Sequence, residues 1–223
     1  AKATQGLANY LKELKKGQKG VAIAYDSRNN SYFFAKIAMQ VLVGNKIPVY
    51  FFKKPHPTPF LSFAIRKLSA SAGILITASH NPPEYNGYKV FFEDGGQILP
   101  PHDSNIINHI QNISSLKEVV WGCKKNEKKY LLVMNSFIEK AYYQKVEEFL
   151  DLKTFKNQKD FKVVYTSLHG AGLHFVKNLL KKRLKINLKT VKKQESFNGN
   201  FPTVSSPNPE EPQALQLAIK QAE

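Results

Sequence analysis

An apolar run, Gly73-Ile74-Leu75-Ile76, breaks into Thr77-Ala78-Ser79-His80-Asn81 and a double proline. A serine and a histidine in a stiff polar loop at the end of a buried strand invite two chemical readings. A serine is a poor nucleophile until a base or an electrophile activates it. The hydrolase arrangement needs Gly-x-Ser-x-Gly at a strand-to-helix turn, with a histidine and an acid later in the chain. Here Ser79 is flanked by Ala78 and His80, and adjacent side chains on extended backbone point apart, so His80 is badly placed as its base. A phosphoryl carrier fits better. Phosphate on Ser79 would bring roughly −1.5 to −2 charges and strong acceptor oxygens, which call for a metal, cations and backbone donors. Lys89 is the candidate cation, because an Asn86-Gly87 turn doubles the chain back toward Ser79. Along Tyr88–Phe92, Lys89 and Phe91 share one face while Tyr88, Val90 and Phe92 share the other. On pattern alone the structural reading stays open. A strand-end Ser-His serves as a turn and cap device, a lone lysine before an apolar strand is solvated, and Arg28, His169 and His174 taken singly are structural.

The elements that must hold these residues alternate. Ala8, Tyr10, Leu11 and Leu14 fit a short amphipathic helix that Gly17 ends. Residues 20–26 read as a buried strand closing in the polar loop Asp-Ser-Arg-Asn-Asn-Ser, with Ser31 capping the next helix and Gly44 stopping it. Residues 47–52 form a second strand. Thr58 then caps a helix with Pro59 at its first position, and Gly73–Thr77 is the third strand. Strand, helix, strand, helix, strand is the pattern of a mostly parallel α/β sheet, in which binding residues gather at the C-terminal ends of strands. Both Tyr25-Asp26-Ser27-Arg28 and Thr77–Asn81 sit at such ends. Residues 88–92 give another strand and 103–113 a helix. The polar stretch 114–129 is the weakest region for a core, so a first domain is expected over 1–128 and a second over 129–223. The second opens on an amphipathic helix (136–150) capped by Ser136. A strand (161–167) follows, ending in the polar loop Leu168-His169-Gly170-Ala171-Gly172. A helix (173–183), a strand (186–191), a proline-rich loop (197–212) and a last helix (213–222) complete it. The fold class is α/β: two tandem three-layer domains with mixed, mostly parallel sheets. No repeat beyond this structural one is evident.

Composition narrows the partners. The chain has 223 residues, 42% of them hydrophobic, with 15 Phe and 10 Tyr, which is ample for a core. Thirty-three Lys and Arg against 17 Asp and Glu give +16, a field that attracts anions. Basic residues are not interleaved with stacking aromatics at module spacing, so no nucleic-acid partner is expected. No apolar run approaches the ~20 residues of a membrane span, so no membrane partner is expected either. The single Cys123 excludes an internal disulfide and suits a reducing, cytoplasmic compartment.

Residues 73–101, Gly-Ile-Leu-Ile-Thr-Ala-Ser-His-Asn-Pro-Pro through Leu-Pro-Pro, strongly resemble the phosphoserine loop of the α-D-phosphohexomutases, the phosphoglucomutase and phosphomannomutase family. Tyr25–Ser31, Pro57–Arg66, Ser167–Gly172 and Pro207–Glu211 resemble further landmarks of that family in the expected order, and the wording is most similar to the phosphoglucomutase/phosphopentomutase branch. The resemblance implies that Ser79 carries a phosphate and donates it to a hexose or pentose phosphate. A sugar bisphosphate forms, and the serine recovers the other phosphate. The net change is an isomerisation between the 1-phosphate and the 6- (or 5-) phosphate. It implies Mg²⁺ on the phosphoserine, a sugar bisphosphate as activator, Lys89 assisting proton transfer or orienting the hydroxyl, His80 on the substrate side, and Asn81, Arg28 and His169 in substrate binding. The family's aspartate-rich metal loop and its third and fourth domains find no counterpart here. The chain therefore reads as domains I and II of a mutase, with the remaining Mg²⁺ ligands elsewhere and little or no turnover in isolation. The competing expectations are a non-catalytic phosphosugar-binding scaffold and a nucleic-acid-binding protein.

Overall fold

The computed structural model describes residues 1–134, 136–151 and 161–223. They form two compact units, neither continuous in sequence. The first comprises Ala1–Tyr25, Asn30–Ile76 and Tyr88–Ile138; the second comprises Asp26–Asn29, Thr77–Gly87 and Glu139–Glu223.

The first unit is built on a five-stranded sheet of order β4-β3-β1-β2-β5, where β1 is Val21–Tyr25, β2 Val49–Phe51, β3 Ala72–Ile76, β4 Tyr88–Phe92 and β5 Leu131–Val133. β1 pairs in parallel with β2 and β3, β2 pairs in parallel with β5, and only β4 is antiparallel. Helices α1 (Lys2–Glu13), α2 (Ser31–Gly44), α3 (Thr58–Leu68), α4 (His102–Gln111) and α5 (Lys124–Tyr130) complete this unit.

Strand alternation sorts the two faces. Val21, Ile23 and Tyr25 of β1, Ile74 and Ile76 of β3, and Val90 of β4 join one core with Leu7, Leu11, Ala35, Leu42 and Ile106 of α1, α2 and α4. The opposite face carries small residues, Ala22, Ala24 and Gly73, and so admits α3 closely. A Cβ on Gly73 would stand 2.4 Å from Ile65 Cδ1. Lys89 is opposite Leu75 and Phe91 opposite Gly73 in the β3–β4 register, which puts both on this α3 face, as the alternation predicts.

Two helix starts differ from expectation. Asn30, not Ser31, is the N-cap of α2, with φ 63°. Asn tolerates the left-handed region better than most residues. Pro57 takes the extended cap conformation before α3, so the helix starts at Thr58 and Pro59 falls in its first turn. The polar stretch 114–129 leads through α5 into β5, a short edge strand that the sequence reading does not anticipate.

Helix α6 (Ser136–Glu147) leads into the second unit. There β6 (Lys162–Tyr165) and β7 (Asn187–Thr190) pair in parallel, joined through α7 (Leu173–Lys177) and a π-helical segment, Asn178–Arg183. Helix α8 (Gln216–Ala222) follows the proline-rich loop. Among the described residues no helix is long and apolar enough to cross a membrane.

Candidate active site

The second unit gathers the loop that follows β1 and the loop that follows β3. In the first, Asp26 Oδ1 accepts the backbone N–H of Arg28 (3.0 Å), folding the chain so that the Arg28 side chain turns inward. That side chain is 1% exposed. Its guanidinium donates to four backbone carbonyls of the second loop: Ser79 (3.0 Å), Asn81 (2.5 Å), Pro82 (2.8 Å) and Tyr85 (3.2 Å). Its Nε stands 3.3 Å from Asp26 Oδ2. The phenyl ring of Phe201 covers the guanidinium at 5.2 Å. Burial pushes the Arg28 pKa down while Asp26 and Glu84 push it up; a guanidinium keeps its charge in a protein regardless. Five fixed N–H donors in a plane suit this task, because one side chain can collect several carbonyls of a loop that has no sheet partner.

Thr77 supplies the second support. Its Oγ1 donates to Asp26 Oδ2 (2.6 Å) and accepts the N–H of Ser79 (3.0 Å). Its own N–H donates to the carbonyl of Gly87 (3.0 Å), which closes the base of the loop. Asn81 N–H donates back to Ala78 (3.1 Å). Held this way, Ser79 has φ 59°, a left-handed conformation that costs a non-glycine residue roughly 1–2 kcal/mol. Its side chain and that of His80 are exposed, although Thr77 and Ala78 just before them are buried. The rigid surround thus holds a left-handed turn with an exposed hydroxyl on it.

His169 is placed differently. It is 1% exposed, its Nδ1 meets the carbonyl of Ser196 (3.0 Å) and its Nε2 meets Thr203 Oγ1 (2.9 Å). Both ring nitrogens are therefore occupied. The segment that holds His169 also reaches Arg28: it contains Phe201, and Asn200 Oδ1 accepts from Asn29 Nδ2 (2.6 Å). Gly199 in this segment has no room for a side chain, since a Cβ would lie 2.3 Å from Asn29 N. The structure thus joins Ser79, Asn81 and Arg28 directly, and His169 to them through residues 196–203. Lys89 stands in the first unit, half-buried on β4 and paired with Leu75 through the strand ladder; its side chain makes no hydrogen bond or ion pair among the described residues. Asp26, Thr77 and Thr203 carry these networks, with Gln194 donating through Nε2 to Thr203 Oγ1 (2.9 Å); the sequence places Asp26 and Thr77 in strand-end loops without giving either a role, and does not single out Gln194 or Thr203. The Asp26-x-Arg28 spacing is the signal that could have shown the inward turn.

The described residues do not by themselves form a Mg²⁺ site. No three His, Cys, Asp or Glu side chains cluster among them; of the two carboxylates in this loop pair, Asp26 and Glu84, Asp26 already serves Thr77 and Arg28. Mg²⁺ demands near-octahedral oxygen coordination, and no acidic cluster among the described residues supplies it.

Residues 1–117 match the family model of phosphoglucomutase/phosphomannomutase alpha/beta/alpha domain I, and residues 140–223 match that of domain II. The chain belongs to the phosphoglucomutase/phosphomannomutase family. It is 41% identical over 219 residues to a phosphoglucomutase of Staphylococcus haemolyticus, covering 97% of this chain and 39% of that protein. It is 38% identical over 228 residues to a probable phosphoribomutase of Schizosaccharomyces pombe, covering 99% of this chain and 38% of the relative. Among solved structures, a putative phosphomannomutase from Thermus thermophilus superposes with a TM-score of 0.83 at 28% identity, over 99% of this chain and 46% of that one. The chain spans less than half the length of each of these relatives.

Proposed function

We propose that this chain carries the phosphoryl-transfer serine of a phosphosugar mutase, and that Ser79 is the carrier. One observation supports this most: in a family of phosphosugar mutases, Ser79 is an exposed hydroxyl on strained backbone, fixed by a buried arginine that binds four carbonyls of its loop. In the proposed reaction the bond between phosphorus and Ser79 Oγ breaks as a bond from a sugar-phosphate hydroxyl to phosphorus forms. The hydroxyl proton ends on Ser79 Oγ, and the sugar becomes a bisphosphate. After the sugar turns end for end, the other phosphoryl group returns to Ser79 and a proton moves back to the sugar oxygen. The substrate is a hexose or pentose 1-phosphate, and a sugar bisphosphate loads the enzyme.

The chain's own residues divide the work. Arg28 and Thr77 are positioning residues: they hold the loop so that Oγ reaches outward at each half-reaction without reorganisation. Lys89 is the cation that orients the sugar hydroxyl and offsets the phosphoryl charge. His80, exposed beside Ser79, meets the substrate, and Asn81 shapes the loop through its carbonyl. His169 acts at a distance by fixing the segment that covers Arg28. No step assigned to these residues passes through a metal ion. Further domains of the parent mutase, with the metal loop, complete the cleft, and these 223 residues alone turn over little substrate.

The test is the intact mass of the protein at its natural length after incubation with glucose 1,6-bisphosphate. One added phosphate, mapped to Ser79 and absent from Ser79→Ala, is expected. A protein that takes up no phosphate while still binding the sugar ester is a phosphosugar-binding scaffold, and the carrier reading then fails.

A further inference from the structure

A cavity of about 410 Å³ opens in the second unit, between the π-helical segment, β7 and α8. It is lined by Lys177, Lys181, Lys189 and Lys192 together with Leu188, Thr190 and Gln221. Lysine and arginine are 33 of the 223 residues, about one in seven, so four lysines among seven lining residues is a concentration of charge beyond the general basic composition.

One carboxylate stands against them. Glu195 Oε1 accepts from the Thr190 hydroxyl and lies 3.3 Å from Lys177 Nζ and 3.4 Å from Lys192 Nζ. A single oxygen thus serves three neighbours. The side chains of Lys181 and Lys189 make no ion pair or hydrogen bond among the described residues. Four lysines and, among the described residues, one glutamate leave a net charge of +3 around this opening, a field that attracts an anion.

The backbone here is unusual as well. The N–H of Leu184 donates to the carbonyl of Leu179 (2.9 Å), five residues back, within the π-helical stretch Asn178–Arg183. Such widened turns are rare and concentrate at functional sites. Lys177 ends α7 and Lys181 sits inside the widened segment, and both line the cavity.

We propose that this cavity binds a compact anion carrying two or more phosphate groups, at a site separate from the Ser79 loop. Lysine binds phosphate as a point charge with three rotatable donors, and Thr190 and Gln221 add neutral polar groups. The lining favours phosphate over a base: among the described residues no aromatic side chain lines the opening to stack on a base, and Leu188 is the one apolar lining residue. The volume, near the lower end of small-molecule sites, fits a diphosphate and not a polymer.

The probe is inorganic pyrophosphate, titrated calorimetrically into the 223-residue chain at low ionic strength, with glucose 1,6-bisphosphate and orthophosphate alongside. Saturable binding of pyrophosphate at one site is expected, at least about tenfold tighter than orthophosphate. Lys181→Gln/Lys189→Gln should weaken it at least about tenfold, while leaving the melting temperature unchanged or raised, because mutual repulsion is removed. Lys124→Gln/Lys128→Gln, an equal charge loss on the exposed face of α5, should change it less than about twofold. Ser79→Ala should bind pyrophosphate like the unaltered chain, which separates this site from the carrier serine. Comparable binding of the bisphosphate through Lys181 and Lys189 would extend the site to phosphate esters; its absence would restrict it to anhydrides. Equal weakening by both double substitutions, or no saturable binding, would overturn the proposal.

Discussion

Thr77 and Thr166 each stand one residue past the end of a strand, β3 and β6, and each hydroxyl accepts the N–H of the residue two further on, at 3.0 Å in both cases. The residue reached is Ser79 in one loop and Leu168 in the other, and both are left-handed, with φ 59° and 47°. The next turn matches too: Asn81 N–H donates to Ala78 (3.1 Å), and Gly170 N–H donates to Ser167 (2.7 Å). Each threonine also donates to a polar side chain beyond the neighbouring strand, Asp26 in the first loop (2.6 Å) and Gln194 in the second (2.5 Å). The backbone device is the same, but the side chains on it have opposite fates. Ser79 and His80 are exposed, whereas Leu168 is 7% exposed and His169 1%. The turn therefore presents a side chain without deciding its use. Chemistry requires a hydroxyl left uncovered, and packing requires an apolar group and a histidine with both nitrogens engaged.

Substitutions that exchange the features of the two loops test this contrast. The largest effect is expected from Ser79→Ala, which should abolish phosphate uptake while leaving the melting temperature nearly unchanged. Leu168→Ser should create no second carrier, because its position is buried. It should instead destabilise the protein by about 2–4 kcal/mol, read by urea denaturation, as a large apolar group is lost from a packed site. Arg28→Ala should cost more than Leu168→Ser. It strips four carbonyls of their donor and leaves Asp26 without its buried partner, and a loss of about 3–5 kcal/mol is expected by the same assay. Arg28→Lys should not restore stability, since an ammonium cannot span four acceptors.

The histidines should separate. His169→Ala removes two hydrogen bonds from a buried site and should cost about 2–3 kcal/mol. His80→Ala should stay within about 0.5 kcal/mol of the unaltered protein and show its effect only in turnover of the natural-length enzyme. The most discriminating pair is Thr77→Val and Thr166→Val. Each keeps the shape and removes one hydroxyl that donates once and accepts once, so both should cost about 1–2 kcal/mol. Only Thr77→Val should slow phosphate uptake by Ser79.

Much of this was legible from sequence because hydrophobic alternation carries it. Val21–Tyr25 and Ala72–Ile76 are continuous apolar runs that lie in the middle of a sheet, and the loop after each was visible as a change to polar residues. Lys89 and Phe91 share the face that strand alternation assigns them. β5 escaped because it is three residues long, at a sheet edge, with Leu132 and Val133 largely exposed, so little burial marks it. The Arg28 clamp was hidden for another reason. Its four acceptors are backbone carbonyls, which every residue possesses, and only the fold shows which of them an arginine collects. The paired loops were within reach: Thr-Ala-Ser-His at 77–80 and Thr-Ser-Leu-His at 166–169 each follow an apolar strand. The likeness is four residues long, and only the shared hydrogen bonds and left-handed backbone show it to be more than chance.

The central claim is that the hydroxyl of Ser79, and not any group of the matching loop at 166–170, accepts and returns the phosphoryl group. Transfer of labelled phosphate from a sugar bisphosphate to the natural-length protein, followed by peptide mapping, tests it most directly. Label confined to the peptide containing Ser79, and discharged on adding sugar monophosphate, is the predicted result. Label on another residue, or unaltered sugar-phosphate isomerisation by Ser79→Ala, would contradict it.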